Sequence, residues 1–208
     1  MEVEIEVPLS DRSILKELRI GDIVWISGIV VTLRDLGHKR VLEYLKSKLE
    51  IPFAKWLRNG AVFHAGPVAK KIGDSWRIVS IGPTTSARVD PYAELMVKEL
   101  GVAIMVGKGG MGPTARKVCR SCEAMYLELV GGTASLITKC IKRVLEVHWL
   151  DLGVPEAAWV LEVQRLGPCI VAIDTSGKDV HEEVLSSARA RLEEVLRNAL
   201  PKGLGSNR

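Results

Sequence analysis

Twice along this chain a short apolar run, of the kind that forms a buried strand, gives way to a glycine-rich loop and then to a helix. Trp76 to Ile81 opens into Gly82-Pro-Thr-Thr-Ser-Ala-Arg-Val-Asp90, and Val102 to Val106 opens into Gly107-Lys-Gly-Gly-Met-Gly112. Strand–loop–helix succession of this kind implies an α/β fold, and open α/β sheets bind ligands beyond the carboxyl ends of their strands. Two such loops can therefore face one small ligand. Between them they carry three hydroxyls, Arg88, Lys108 and several free backbone N–H groups. That inventory suits a carboxylate or a phosphate, because guanidinium forks and glycine-rich N–H cradles stabilise planar oxyanions.

The remaining segments read as a frame for these loops. Val3, Ile5 and Val7 alternate with glutamate in an edge-strand pattern that Pro8 ends. Ser10 can cap a short helix carrying Ile14, Leu15 and Leu18. Ile23 to Leu33 reads as a central strand, and Ser27-Gly28 within it marks a bulge or a close backbone approach. Arg34 stands where that strand hands over to a helix, with Asp35 as the expected N-cap and Val41, Leu42, Leu45 and Leu49 facing inward. Ala61–Ala65, Val68–Ile72 and Trp76–Ile81, broken by Gly-Pro and Gly-Asp, predict a β-meander forming a second sheet layer. Asp90 and Pro91 predict a helix start, and Gly101 its end. A strand at Met125–Val130 precedes Gly131-Gly132-Thr133 and an expected helix with Leu136, Ile137, Cys140, Ile141, Val144 and Leu145. Strands at Ala157–Val163 and Cys169–Ile173 complete the sheet. His181 to Leu200 predicts an amphipathic helix with Val184, Leu185, Leu192, Val195 and Leu196, followed by eight frayed residues.

No linker divides the 208 residues, so one domain is expected over 1–178, with a C-terminal helix and tail, 179–208, packed on it. A net charge of +4, spread among acids, implies no nucleic-acid partner, since phosphate-backbone binding requires a concentrated basic stripe. The start of the chain lacks a basic, apolar leader and no window is long enough to span a membrane, so the cytoplasm is expected. Cys119, Cys122, Cys140 and Cys169 form no three-cysteine set of the kind that holds an iron–sulfur cluster, and reduced structural thiols are expected. His38, His64, His148 and His181 show no metal-ligand spacing.

Gly107-Lys-Gly109-Gly-Met-Gly112 also fits G-x-G-x-x-G, which raises a dinucleotide site. Glu128, the candidate ribose acid, lies too early and within its strand. A phosphate-binding P-loop is excluded because Lys108 is followed by Gly109 rather than Ser or Thr.

Ser27-Gly28, Arg34-Asp35 with His38, Ala65-Gly66-Pro67, Gly82-Pro83-Thr84-Thr85-Ser86 with Arg88, Gly107-Lys108-Gly109, Gly131-Gly132, Pro155-Glu156-Ala157 and Asp174 with Gly177 occur in this order. In that order the chain, from Leu9 to Gly177, resembles the β subunit of class I fumarate hydratases and L-tartrate dehydratases. The resemblance implies a three-layer swivelling β/β/α domain, and an α-subunit partner that holds a four-iron four-sulfur cluster through three cysteines, one iron left open as a Lewis acid. It implies Arg34, Arg88 and Lys108 as the groups gripping the substrate carboxylates and Thr84 as the proton-abstracting group. It further implies a dimer of α–β pairs. Val89 replaces a usual Met, Leu36-Gly37 an alanine pair, and Cys122 and the His181–Leu200 helix lie outside the shared pattern.

The expected activity is reversible hydration of fumarate to L-malate, a hydro-lyase reaction. L(+)-Tartrate dehydratase, a non-catalytic docking subunit and a dinucleotide-binding enzyme are the alternatives.

Overall fold

A computed structural model describes residues 1–199. The tail expected to fray lies outside them. In chain order the elements are β1 (Glu2–Val7), α1 (Ser13–Glu17), β2 (Ile23–Thr32), α2 (Asp35–Lys46), α3 (Ala54–Leu57), β3 (Ala61–Phe63), β4 (Val68–Ile72), β5 (Ser75–Ser80), α4 (Ala93–Lys98), β6 (Ile104–Gly107), α5 (Pro113–Cys122), β7 (Met125–Glu128), α6 (Ala134–Thr138), β8 (Ile141–His148), β9 (Ala158–Ile173) and α7 (Val180–Ala199).

Seven strands form one mixed sheet in the order β1-β2-β3-β6-β7-β9-β8. The first five pair in parallel, and β9 runs antiparallel to β2, β7 and β8. The last residues of β9 meet both β2 and β7, so the sheet closes on itself. Period-two alternation sorts its side chains between two cores. Val62, Met105 and Tyr126 pack under α2, α3, α4 and α5, while Phe63, Val106 and Leu127 face the β4–β5 hairpin and α6. The result is the three-layer α/β arrangement that the resemblance implies.

Four expected elements change. The three-strand meander is a hairpin of β4 and β5 only; β3 joins the main sheet between β2 and β6. All three of its residues are buried, as a central parallel strand requires, whereas the hairpin keeps one face open and packs Trp76 edge-on against Trp159. The helix expected through Cys140 and Leu145 stops at Thr138, and Ile141–His148 is strand β8 on β9. Its apolar spacing fits both periods, and pairing with β9 decides in favour of the strand. The two strands expected at Ala157–Val163 and Cys169–Ile173 are one, β9.

Asp90 does not cap the helix that follows it, because Ser86–Tyr92 winds as a 3-10 turn and α4 starts at Ala93. Its carboxylate accepts backbone N–H groups of Gly112, Thr114 and Ala115 at the start of α5. Similarly, Asp35 is the first residue of α2 rather than its cap. Gly28 has φ +100 beside a register shift in the β2–β9 pairing, and a Cβ there would strike the Val7 carbonyl. The bulge and the close approach expected at that position both occur.

The C-terminal helix α7 touches the domain through its first turn, where Arg116 bonds Glu182 and His181 bonds Glu128. Val184, Leu185, Leu192, Val195 and Leu196 are exposed. The apolar face expected to pack on the domain therefore points away from it. No helix among the described residues is long and apolar enough to cross a membrane.

Candidate active site

Because β2, β3, β6 and β7 are parallel neighbours, their carboxyl ends share one edge of the sheet. Arg34 leaves β2, His64 leaves β3, Lys108 leaves β6, and Glu128 ends β7. The Gly82–Asp90 loop lies across this edge and is stitched to it by backbone bonds. Thr84 donates both its N–H (2.7 Å) and its Oγ1–H (2.9 Å) to the His64 carbonyl. Lys108 N–H reaches the Thr84 carbonyl and Ser86 N–H reaches the Lys108 carbonyl, each at 3.1 Å. The two loops singled out in the sequence are thus one unit.

Beneath them Ser86 Oγ and His64 Nδ1 share a 2.9 Å hydrogen bond, both side chains being buried. Burial, then the neighbouring His38, holds the His64 imidazole well below its ordinary value, and burial pushes His38 down to about 4. Both rings are neutral at pH 7. The positive charge of the edge therefore comes from the three expected cations.

Each cation is held differently. Arg88 gives Nε and Nη2 to the two oxygens of Asp35 at 2.9 and 3.0 Å, and this grip holds the Asp35 carboxyl below its usual range. Its Nη1 makes no hydrogen bond among the described residues and offers an edge to a second carboxylate. Arg34 lies over Gly66, where an added Cβ would stand 2.5 Å from Arg34 Cδ. Its Nε is 3.2 Å from Glu156 Oε1 but misaligned, so a buried donor has no hydrogen-bond partner. Such a group is costly to leave unmet, and the nearby Glu156 carboxylate offsets part of that cost. Lys108 runs its stem past Gly131 and makes no ion pair among the described residues.

Asp35 and Ser86 stand in motifs quoted above, Asp90 reads in the sequence as a helix start and Glu128 as a ribose acid, and His64 shows no metal-ligand spacing; the contacts that each of them makes lie far along the chain. Glu156 sat in a motif quoted above, and it orients Arg34 and accepts Leu36 N–H.

The dinucleotide alternative fails on two contacts. The N-terminus of α5, where a pyrophosphate would sit, is filled by the Asp90 carboxylate. Glu128, which would hold the ribose, bonds Gly109 N–H and His181 instead.

The cysteines do not fit an iron–sulfur cluster within this chain. Cys119 and Cys122 pack with the helix-side core and Cys140 and Cys169 with the opposite one, so no three thiolates can converge. Burial raises the Cys119 and Cys169 thiols, which suits neutral packing groups.

The Fumarase C-terminus family model matches residues 1–184. The L(+)-tartrate dehydratase subunit beta of Escherichia coli strain K12 is 41% identical over 169 residues, which are 81% of this chain and 82% of that one. A Methanocaldococcus jannaschii protein, provisionally named as the same subunit, is 43% identical over 183 residues, 88% of this chain and 93% of its own. A protein from Geobacillus stearothermophilus, provisionally named a class I fumarate hydratase, is 33% identical over 193 residues, 92% of this chain and 36% of its own. The chain belongs to the fumarase C-terminus family, the hydro-lyase group that takes in L(+)-tartrate dehydratase β subunits and class I fumarate hydratase.

Proposed function

We propose that this chain is the β subunit of a two-subunit class I fumarate hydratase, catalysing reversible hydration of fumarate to L-malate in the cytoplasm. The observation that carries the reading is the cation edge. Arg34 and Lys108 follow the carboxyl ends of β2 and β6, on either side of β3, and Arg88 is carried by the loop that lies across that edge with one side of its guanidinium turned from Asp35. In this reading Arg34, Arg88 and Lys108 clasp the two carboxylates of a C4 diacid.

Proton removal next to a carboxylate places negative charge on that carboxylate, and fixed cations aimed there stabilise it without reorganising. Thr84 is the proton-transfer group. To take the proton Thr84 must act as its alkoxide, the hydroxyl proton now held against the His64 carbonyl having left to solvent, and a neighbouring cation, Arg88 or Lys108, favours that charged form. The four-iron four-sulfur cluster belongs to the α subunit, which supplies the facing half of the site. The Geobacillus relative, of which this chain matches only 36%, supports that division, because a longer chain can carry both halves.

Dehydration of L(+)-tartrate is the second reading, and the higher identity to tartrate dehydratase β subunits favours it. Both readings need the same carboxylate grip and differ in one substrate hydroxyl. Co-expression with the α subunit, followed by separate assays of ultraviolet fumarate absorbance and of oxaloacetate formed from L(+)-tartrate, decides between them. A complex whose activity is indifferent to both Thr84→Val and Arg88→Ala makes the chain a docking subunit.

A further inference from the structure

Glu128 is the acid at the end of β7, and the carboxylate grip proposed above gives it no part. Both of its oxygens are engaged. Oε1 accepts Gly109 N–H at 2.8 Å, and Oε2 accepts His181 Nε2–H at 2.8 Å from the first turn of α7. On the carbonyl side of the same residue, Tyr126 Oη–H donates to Gly109 O at 2.6 Å. The His181 ring also backs the next residue, since a Cβ on Gly110 would stand 3.1 Å from it.

These contacts converge on the residue that follows Lys108. Gly109 has φ +67, in the left-handed region, and a Cβ there would meet nothing within 4 Å. Neither Gly109 nor Gly110 carries a side chain that could anchor the loop by packing. Its position is set by hydrogen bonds: Lys108 N–H to Thr84 on one side, Glu128 and Tyr126 at Gly109 on the other. The ammonium of Lys108 sits at the end of a flexible four-carbon stem, so its reach into the site depends on where its backbone is fixed.

We propose that Glu128 is a positioning residue for Lys108, and that His181 orients the Glu128 carboxylate, which makes the start of α7 part of the active-site support. Glu128 does not touch substrate; it acts by holding the Gly109 peptide. This rests on the reading that Lys108 binds a substrate carboxylate. A lysine on the carboxylate remote from the proton being removed shifts KM more than kcat when it is misplaced, because ground state and transition state lose the contact alike.

The test is a double-mutant cycle on the complex with its α subunit, read as KM and kcat for the preferred diacid. Glu128→Ala should raise KM about tenfold, as expected for losing one hydrogen bond to a charged acceptor, with a smaller change in kcat. Glu128→Gln keeps an acceptor for Gly109 N–H and should recover most of that loss. In a Lys108→Ala background, adding Glu128→Ala should cost less than about twofold, because the two act through one contact. Should Glu128→Ala fail to assemble, His181→Ala carries the same cycle, with a KM rise that vanishes without Lys108. An unchanged KM in Glu128→Ala, or an equal factor with and without Lys108, overturns the positioning role alone. A Lys108→Ala complex with ordinary KM and kcat overturns the carboxylate reading and this inference together.

Discussion

Replacing Gly107 by alanine tests whether the two loops are locked as their contacts imply. Gly107 ends β6 immediately before Lys108, and a Cβ there would stand closer than 3.0 Å to Ser86 Oγ and 3.0 Å from His64 Nδ1. Its backbone lies outside the left-handed region, so the penalty is steric. Ser86 and His64 are buried and cannot swing into solvent. Relief requires Ser86 Oγ to leave its 2.9 Å bond with His64, which strands two buried polar atoms. Each costs about 1–3 kcal/mol, and the overpacked methyl adds about 1–3 kcal/mol. A loss of about 4 kcal/mol is expected, a large part of the roughly 5–15 kcal/mol that holds a domain together. Urea denaturation reads it as a fall in the midpoint of about 2 M, for a slope of roughly 2 kcal/mol/M. Adding Ser86→Ala removes the clashing oxygen, so the double variant should be more stable than the sum of the two single losses predicts. A Gly107→Ala midpoint within about 0.5 kcal/mol of the parent, or strictly additive losses, refutes the locked arrangement.

Lys108→Ala should lower kcat/KM of the assembled complex roughly hundredfold, about 3 kcal/mol for a charge-assisted contact to carboxylate. Assembly with the α subunit should persist, and a near-normal kcat/KM would remove Lys108 from the site. Acid should weaken the fold through His38, which is neutral and buried in the native state and free to charge when unfolded. The folded value near 4 lies below the 6.5 of the free imidazole. The contribution is therefore complete above pH 6.5 and is lost as pH falls toward 4, by about 3 kcal/mol at about 1.4 kcal/mol per pH unit. Urea midpoints measured across that window should flatten in His38→Gln, and an equal slope in both proteins would refute the assignment.

The loops were legible because their residues announce themselves locally. Proline and glycine fix where Gly82–Asp90 and Gly107–Gly112 turn, and period-two apolar runs fix the strands before them. What the sequence hid depends on partners distant along the chain. Ile141 to His148 carries an apolar spacing that serves a helix or a strand equally, and only β9 makes it a strand. Asp90 looks like the cap of the next helix in line, yet its carboxylate reaches across to residues 112–115. The Ser86–His64 bond has no sequence signature at all, since it spans 22 residues and two loops. The C-terminal helix was correctly read as amphipathic, but amphipathicity does not say what covers the apolar face.

On the proposed reading, charge balance is the reason such an edge needs a second surface. Arg34 and Arg88 are paired with Glu156 and Asp35, and a third carboxylate, Glu128, lies beside the lysine loop on Gly109 N–H and His181. Those acids fix the guanidinium planes and the lysine loop, which is the source of the pre-organisation, but they also cancel most of the positive field. The two histidines within the site, His38 and His64, are held neutral and add nothing to it. A diacid entering here brings two further negative charges to an edge that is already close to neutral. Excluding water from that ensemble strengthens every repulsion as well as every attraction. On the proposed reading the surface that covers the diacid is therefore expected to bring positive charge of its own, and a structure of the complex with a neutral or acidic covering surface would refute this balance.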